Sequence, residues 1–311
     1  MAVERSERVI LVAGPTASGK SGVALALAER LGGVVINADS MQVYRELRVL
    51  TARPDATEEA RAPHALYGFV PASEAYSVGR YVADAARAIA QARAAGRIPI
   101  VVGGTGLYFK ALLEGLSPVP TADPDVRAYW RAQAERRPAP ELHALLARKD
   151  GDMAARLMPT DKQRIVRALE VLETTGRSLA HWQRQPGTPV LLENEAVRLR
   201  LQPERTAHRA AIEARLQAMM QHGALEEVSA LLALELDDTL PVMRALGVRP
   251  LIAHLQGKTP LKDAVAATLA ETLAYAKRQR TWLTRNMPAW KAIAAQQSAS
   301  FDPSILAFID S

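Results

Sequence analysis

The chain has no cysteine. Disulfides, thiolate nucleophiles and cysteine-ligated zinc are therefore excluded. Aromatic residues are scarce, at 5% of 311 positions, while hydrophobic residues make up 49%. That balance suits a soluble α/β protein with an aliphatic core. No apolar run approaches the ~20 residues that span a bilayer, so no membrane partner is expected. The segment before the first strand-like run carries Glu4 and Glu7 and does not read as a signal peptide. A cytoplasmic protein is the expectation. The histidines (His64, His143, His181, His208, His222, His254) are scattered, with no H-x-x-H or H-E-x-x-H spacing. They read as structural or surface residues, and a histidine-built metal site is not expected. Internal repeats and low-complexity tracts are also missing. The net charge of +6 permits an anionic partner without requiring one.

What is present begins at Gly14-Pro15-Thr16-Ala17-Ser18-Gly19-Lys20-Ser21. This run fits G-x-x-x-x-G-K-[ST], a phosphate-binding loop. The apolar run Val9–Ala13 precedes it as a strand, and an Ala/Leu-rich helical stretch follows from Gly22 to Leu31. Strand, glycine loop, helix is the context that gives the motif its mechanism. Backbone N–H groups close around phosphate oxygens, and the helix N-terminus adds partial positive charge. Lys20 would reach the terminal phosphates and Ser21 would hold Mg²⁺. A di- or triphosphate is implied; its owner is not.

Residues 1–115 alternate strand-like and helix-like segments. Gly33–Asp39 reads as a second strand, Leu66–Val70 as a short one and Arg97–Val102 as a third buried one. Tyr76–Ala95 reads as a helix with Ser77 as its cap and Gly96 as its stop. Strands alternating with helices imply a parallel sheet, and such sheets bind ligands at the carboxyl ends of their strands. Gly14–Ser21, Asp39–Tyr44 and Gly103–Tyr108 all follow strand ends and should converge on one crevice. Ser117–Pro124 is a proline-rich joint. From there to about Arg200 the pattern is helical, including an amphipathic helix over Asp161–Leu172. Val197–Leu201 alternates and should rejoin the sheet. Thr206–Leu234 and Thr259–Leu283 read as long helical stretches, the second opened by Thr259-Pro260. The expected organisation is an α/β core from 1–120 and 201–311, with a helical insertion over 121–200.

Three further constellations carry chemistry. Asp39 is the natural carboxylate beside the phosphate loop. It suits a Mg²⁺ ligand, a general base or simply an N-cap, and spacing alone leaves all three open. Gly103-Gly-Thr-Gly-Leu-Tyr108 stands where many phosphate-loop hydrolases place a metal-binding Asp, which weakens an ATPase reading. Tyr275–Arg285 carries Lys277, Arg278, Arg280 and Arg285 without an acid, interleaved with Tyr275 and Trp282. Such a face suits a nucleic-acid backbone or a diphosphate, or is a solvated basic surface.

Together these motifs resemble the tRNA dimethylallyltransferases (tRNA isopentenyltransferases). The resemblance rests on G-P-T-A-S-G-K-S at 14–21, D-S-M-Q-V-Y at 39–44, T-A-R-P at 51–54 and G-G-T-G-L-Y at 103–108. It continues through D-K-Q-R-I-V-R-A-L-E-V at 161–171, R-A-L-G at 244–247 and Y-A-K-R-Q-R-T-W at 275–282. The family likeness implies a P-loop fold and transfer of a dimethylallyl group from dimethylallyl diphosphate to N6 of adenosine 37 in tRNA. It implies that Asp39 accepts the N6 proton with Thr105 nearby, and that Arg244 contacts the diphosphate. Ser40, Met41 and Gln42 would hold the target base. Arg127, Gln163, Arg164, Ile165, Val166 and Arg167 would meet the tRNA. The helical insertion would grip the anticodon stem-loop, and the enzyme would act as a monomer. Lys277, Arg278 and Arg280 are further candidates for tRNA contact. The chain departs from the family pattern at Val248-Arg249-Pro250, where Tyr is usual after R-x-x-G, and in Ala65–Gly68. A nucleotide or small-molecule kinase is the alternative; it would use the same loop for ATP.

Overall fold

All five residues of β1 (Val9–Ala13) are buried. An unbroken aliphatic run is what a strand covered on both faces requires. The structure, a computed structural model, describes residues 8–294 and 308–309. After β1 come α1 (Lys20–Leu31), β2 (Val34–Asn37), α2 (Ala56–Arg61), β3 (His64–Ala65), α3 (Val78–Ala94), β4 (Pro99–Gly103) and α4 (Gly106–Glu114). A block of helices follows: α5 (Pro124–Arg136), α6 (Ala139–Lys149), α7 (Gly151–Ala154), α8 (Lys162–Thr175) and α9 (Leu179–Gln183). The chain then continues through β5 (Ala196–Leu201), α10 (Arg205–Gln221), α11 (Ala224–Leu232), α12 (Val248–Leu255), α13 (Leu261–Asn286) and β6 (Lys291–Ile293).

The strands form one six-stranded sheet in the order β3-β2-β4-β1-β5-β6. Every pair is parallel: β1 lies between β4 (Leu11 beside Val101) and β5 (Leu11 beside Arg198), and β2 beside β4 (Ile36 beside Val101). Ile10, Val12, Val35, Ile100, Val102 and Leu199 pack with Ala24, Leu27 and Ala28 of α1 in one apolar cluster. This is the expected α/β P-loop architecture, with β1 at its centre and the phosphate loop at its carboxyl end.

Two compact units emerge, residues 1–113 with 191–311, and residues 114–190. The second unit therefore starts and ends earlier than the 121–200 read from sequence. Residues 191–200 belong with the sheet because Leu191 N donates to Leu112 O and β5 begins at Ala196. The helical unit has its own core of Trp130, Leu142, Leu146, Ile165, Leu169 and Leu179. Its helices obey local rules: the side chains of Asp123, Asp161 and Ser178 cap α5, α8 and α9, and Gly176 at φ 66° ends α8.

Three sequence expectations are corrected. The strand expected at Leu66–Val70 is instead the two residues His64–Ala65. Leu66 turns left-handed at φ 65°, and Val70 keeps only an isolated bridge to Tyr44. The single stretch expected over Thr206–Leu234 is two helices, α10 and α11, parted by Gly223 at φ 94°. Helix α13 begins one residue after Pro260, which is its N-cap.

Candidate phosphate-binding active site

Gly14–Ser21 leaves the carboxyl end of β1, where Gly14 N donates to Gly103 O at 3.2 Å. Ala17 at φ 57° and Gly19 at φ 82° flank Ser18 in left-handed conformations, so the loop curls. A Cβ on Gly14 would lie 2.6 Å from Ser18 Oγ and 3.2 Å from Leu201 Cβ, so a side chain there would crowd the curl. Ser18 Oγ is buried and without a hydrogen-bond partner. Such an atom is costly unless a ligand satisfies it. Lys20 is buried in the first turn of α1, and its Nζ donates to Pro15 O at 3.3 Å. Burial pushes its pKa down to about 8; the Asp39 carboxylate opposes that shift and the Arg215 guanidinium adds to it. The loop thus holds a desolvated ammonium and an orphaned hydroxyl, both suited to an anion.

The other two predicted strand ends close on this loop. Ala38 N donates to Val102 O at 2.7 Å, and Thr105 N to Ala38 O at 3.2 Å. Thr105 Oγ1 accepts from Ser40 N at 3.0 Å. Asp39 is fixed by its neighbour on β2: Asn37 Oδ1 accepts from Asp39 N at 2.8 Å, and Asn37 Nδ2 donates to Asp39 O at 3.0 Å. Asp39 Oδ1 accepts from Met41 N at 2.9 Å. The capping alternative is met only in this local form, because turns and not a helix follow Asp39. A Cβ on Gly103 would lie 2.0 Å from Ala38 O, and one on Gly104 would lie 2.2 Å from Gln279 Nε2. Gly103, pressed on backbone, has no room for the metal-binding acid of a hydrolase, and a side chain at Gly104 would displace the Gln279 amide.

The D-S-M-Q-V-Y loop is braced from outside. Gln42 is buried, and its Nε2 donates to Thr51 O at 2.8 Å and Ala52 O at 2.9 Å. Its amide nitrogen therefore serves the T-A-R-P segment, and a base-reading role is confined to Oε1. Arg53 Nη1 donates to Tyr44 O at 2.9 Å. Glu227 of α11 accepts from Arg48 N, Val49 N and Leu50 N at 2.6, 2.7 and 2.9 Å.

Arg215 of α10 lies within electrostatic reach of both Lys20 and Asp39. Burial lowers the Arg215 pKa and Asp39 supports its charge. Arg244 is exposed at the end of the 3₁₀ turn Pro241–Arg244. Tyr67, Tyr108 and Tyr275 also lie within electrostatic reach of Asp39, and burial raises each phenol's pKa. Sequence reasoning missed Arg215 because one arginine in an Ala/Arg-rich helix carries no local signal. It passed over His208 and Gln279 as well, although an uncharged Gln inside the basic run Lys277–Arg280 was a visible irregularity.

The expected tRNA contacts divide. Gln163 and Arg164 are exposed on the first turn of α8, and Arg164 pairs with Asp161 at 3.4 Å. Ile165 and Val166 are buried in the core of the helical unit, which corrects their assignment as tRNA-contacting side chains. They follow the apolar stripe of α8, so they face inward. Arg167 is half-buried, donating to Pro120 O at 3.1 Å and pairing with Glu170 at 3.5 Å. Arg127 is half-buried on α5. On α13, Lys277 and Arg278 are exposed and Arg280 is half-buried. At the family departure Val248–Pro250 the backbone is accommodated: Pro250 is the third residue of α12, where its missing N–H has no intrahelical acceptor to lose.

Comparison with known proteins agrees with this geometry. The family model described as IPP transferase matches residues 42–286, and that described as isopentenyl transferase matches residues 7–64. A tRNA dimethylallyltransferase of Parvibaculum lavamentivorans is 53% identical over 97% of this chain and 96% of its own length. One from Methylobacterium nodulans is 55% identical over 94% and 97%. Among solved structures, the full-length tRNA isopentenylpyrophosphate transferase of Bacillus halodurans aligns with a TM-score of 0.70 at 30% identity, covering 98% of this chain and 95% of that one. A eukaryotic dimethylallyltransferase acting on tRNA aligns with a TM-score of 0.78 at 26% identity, covering 93% and 74%. With the family model spanning most of the chain and the phosphate loop, Asp39 and Thr105 joined at one sheet edge, the chain belongs to the IPP transferase family.

Proposed function

We propose that this chain transfers a dimethylallyl group from dimethylallyl diphosphate to N6 of adenosine 37 in tRNA, releasing diphosphate. One observation carries the reading: a fixed carboxylate, Asp39, shares its surroundings with Lys20 and Arg215 at a phosphate loop, while Gly103 leaves no room for a hydrolase acid. Its relatives, named tRNA dimethylallyltransferases, support the same reading.

The chemistry balances on these residues. The N6–C1 bond forms as the C1–O bond to diphosphate breaks. The electron pair of that bond leaves with the diphosphate, whose growing charge Lys20 and Arg215 stabilise. The N6 proton passes to Asp39, which Asn37 and Met41 N hold in one orientation. Ser40, Met41 and Gln42 Oε1 line the base's approach, and Thr105 ties Ser40 to that edge. Mg²⁺ would neutralise diphosphate charge. The donor set fits such an ion only when it arrives with its substrate. Among the described residues no group of three or more His, Asp or Glu side chains could hold a metal. Ser21 would supply a hydroxyl, with diphosphate oxygens and waters completing the shell.

The adenine must leave its stack, at about a few kcal/mol. The exposed Gln163 and Arg164 of the helical unit are suited to gripping the anticodon stem-loop and offsetting that cost; the exposed Lys277 and Arg278 of α13 are further candidates for tRNA contact. The reading also takes the enzyme as a cytoplasmic monomer. Among the described residues no helix is long and apolar enough to cross a membrane.

The test is transfer of labelled dimethylallyl diphosphate to unmodified tRNA with Mg²⁺ and without ATP. Label should enter tRNA with the wild type and fall by about 10²–10⁴-fold with Asp39→Ala. No label, with ATP turnover instead, would establish the kinase alternative.

A further inference from the structure

Thr16 sits at the outer bend of the phosphate loop, and side chains from two distant helices take both polar groups of its backbone. Gln279 Oε1 of α13 accepts from Thr16 N at 2.9 Å. His208 Nε2 of α10 lies 2.8 Å from Thr16 O, a carbonyl that can only accept, so Nε2 carries the proton and donates. Both side chains are buried, at 6% and 3% exposure. The other end of the Gln279 amide donates from Nε2 to Gly104 O at 2.9 Å. Gly104 has no Cβ because one would lie 2.2 Å from that nitrogen, and a Cβ on Gly106 would lie 2.0 Å from the Trp282 ring. Gln279 and Trp282 stand three residues apart on one face of α13, so one helix face seats in both glycine notches.

We infer that Gln279 and His208 are positioning residues that clamp the phosphate loop at Thr16 and lock it to the Gly103–Gly106 turn, presetting the loop for the diphosphate of the prenyl donor. The inference rests on the proposed prenyl transfer for the identity of its ligand. Its physical content is preorganisation. A curled loop with left-handed Ala17 and a buried ammonium is strained when empty. Holding it shaped before the anion arrives spares the ordering cost at binding. The same amide keeps Thr105, between the two glycines, in register with Ser40 N. This also explains why the glycine run and the Gln-Arg-Thr-Trp run occur in one chain: each glycine is the cavity for a side chain of the other motif.

The experiment measures the affinity of the full-length enzyme for inorganic diphosphate, with steady-state kinetics and thermal unfolding. The variants are Gln279→Met, His208→Leu and His208→Gln. Gln279→Met and His208→Leu should each weaken diphosphate binding about tenfold, the worth of one or two hydrogen bonds. KM for dimethylallyl diphosphate should rise in parallel, with KM for tRNA within about twofold of wild type. His208→Gln places an amide donor where Nε2–H stood and should recover most of the affinity that His208→Leu loses. The clamp is overturned by wild-type diphosphate affinity in Gln279→Met and His208→Leu, or by His208→Gln as weak as His208→Leu. A rise in KM for tRNA equal to that for the donor would also overturn it, since that marks general loss of structure. If Gln279→Met does not fold, the two His208 variants decide the matter alone. Failure of the wild type to bind diphosphate would instead sink the prenyl-transfer reading, so the two failures are distinct.

Discussion

The two units of this protein are built under different rules. In residues 114–190, α5, α7, α8 and α9 each start on a side-chain cap, and the apolar stripes of the helices meet in one core. At the sheet edge of the other unit, almost every rule of local comfort is broken. Ala17 is left-handed, Lys20 is an ammonium inside the protein, and Ser18 Oγ has no partner. Those strains survive because other groups hold the segments around them: Gln279 and His208 on Thr16 and Glu227 on the loop at 48–50 from far away in sequence, and Asn37 on Asp39 from two residues before it. Functional sites commonly store strain of this kind where the surroundings over-determine it. The helical unit rests mainly on local caps and its own core, whereas the phosphate loop is braced from distant helices.

Substitutions can break that contrast in order of size. Gly103→Ala should be the most damaging, since its Cβ would lie 2.0 Å from Ala38 O and 2.8 Å from Ala38 Cα. The β4 and β2 ends must part, and a shift of about 1 Å at an active site costs on the order of 10²-fold in rate. Measured kcat should fall by at least that much, whereas Gly151→Ala in the helical unit, where a Cβ meets nothing within 4 Å, should leave kcat near wild type. Leu169→Ala removes a core side chain of the helical unit and should cost about 2–5 kcal/mol there. Hydrogen exchange should show the loss within 114–190, with the affinity for inorganic diphosphate retained.

Lys20 tests the opposite sign. Its depressed pKa means that the folded state resists the charged form. Unfolding is therefore favoured below about pH 8, and the penalty fades between about 8 and the unfolded value of 10.5. Lys20→Met should raise the melting temperature at pH 7 while abolishing diphosphate binding. In the wild type, kcat/KM for the prenyl donor should decline as pH rises through about 8, because the neutral amine no longer holds diphosphate. The smallest effect is expected at an exposed charge. Arg164→Ala should raise KM for tRNA a few-fold and lower its salt dependence by about one charge, with KM for the donor unchanged.

Much of the sheet was legible in sequence because buried parallel strands read as unbroken aliphatic runs. The expected strand after Gly33 and the one at Val197–Leu201 both lie in the sheet, as β2 and β5. Leu66–Val70 misled because Leu66 takes a left-handed turn that no aliphatic pattern announces. In the site, Gly14–Ser21, Asp39 and Thr105 were visible as motifs at strand ends. Ile165 and Val166 entered as tRNA contacts only through family likeness, although their place on the apolar stripe of α8 already pointed inward.

The sequence by itself determined the phosphate loop, its strand and helix, the parallel sheet and the carboxylate beside it. The loop and its flanking elements depend on neighbours within a few residues, and the sheet on unbroken aliphatic runs alternating with helices; both are written in order along a chain. Only the tertiary structure brought Arg215 within electrostatic reach of Lys20 and Asp39. It alone showed His208 and Gln279 meeting at Thr16 across 192 and 263 residues of chain. Side chains so remote come together only when the packing of helices on the sheet sets their positions, and no spacing in the sequence encodes that meeting.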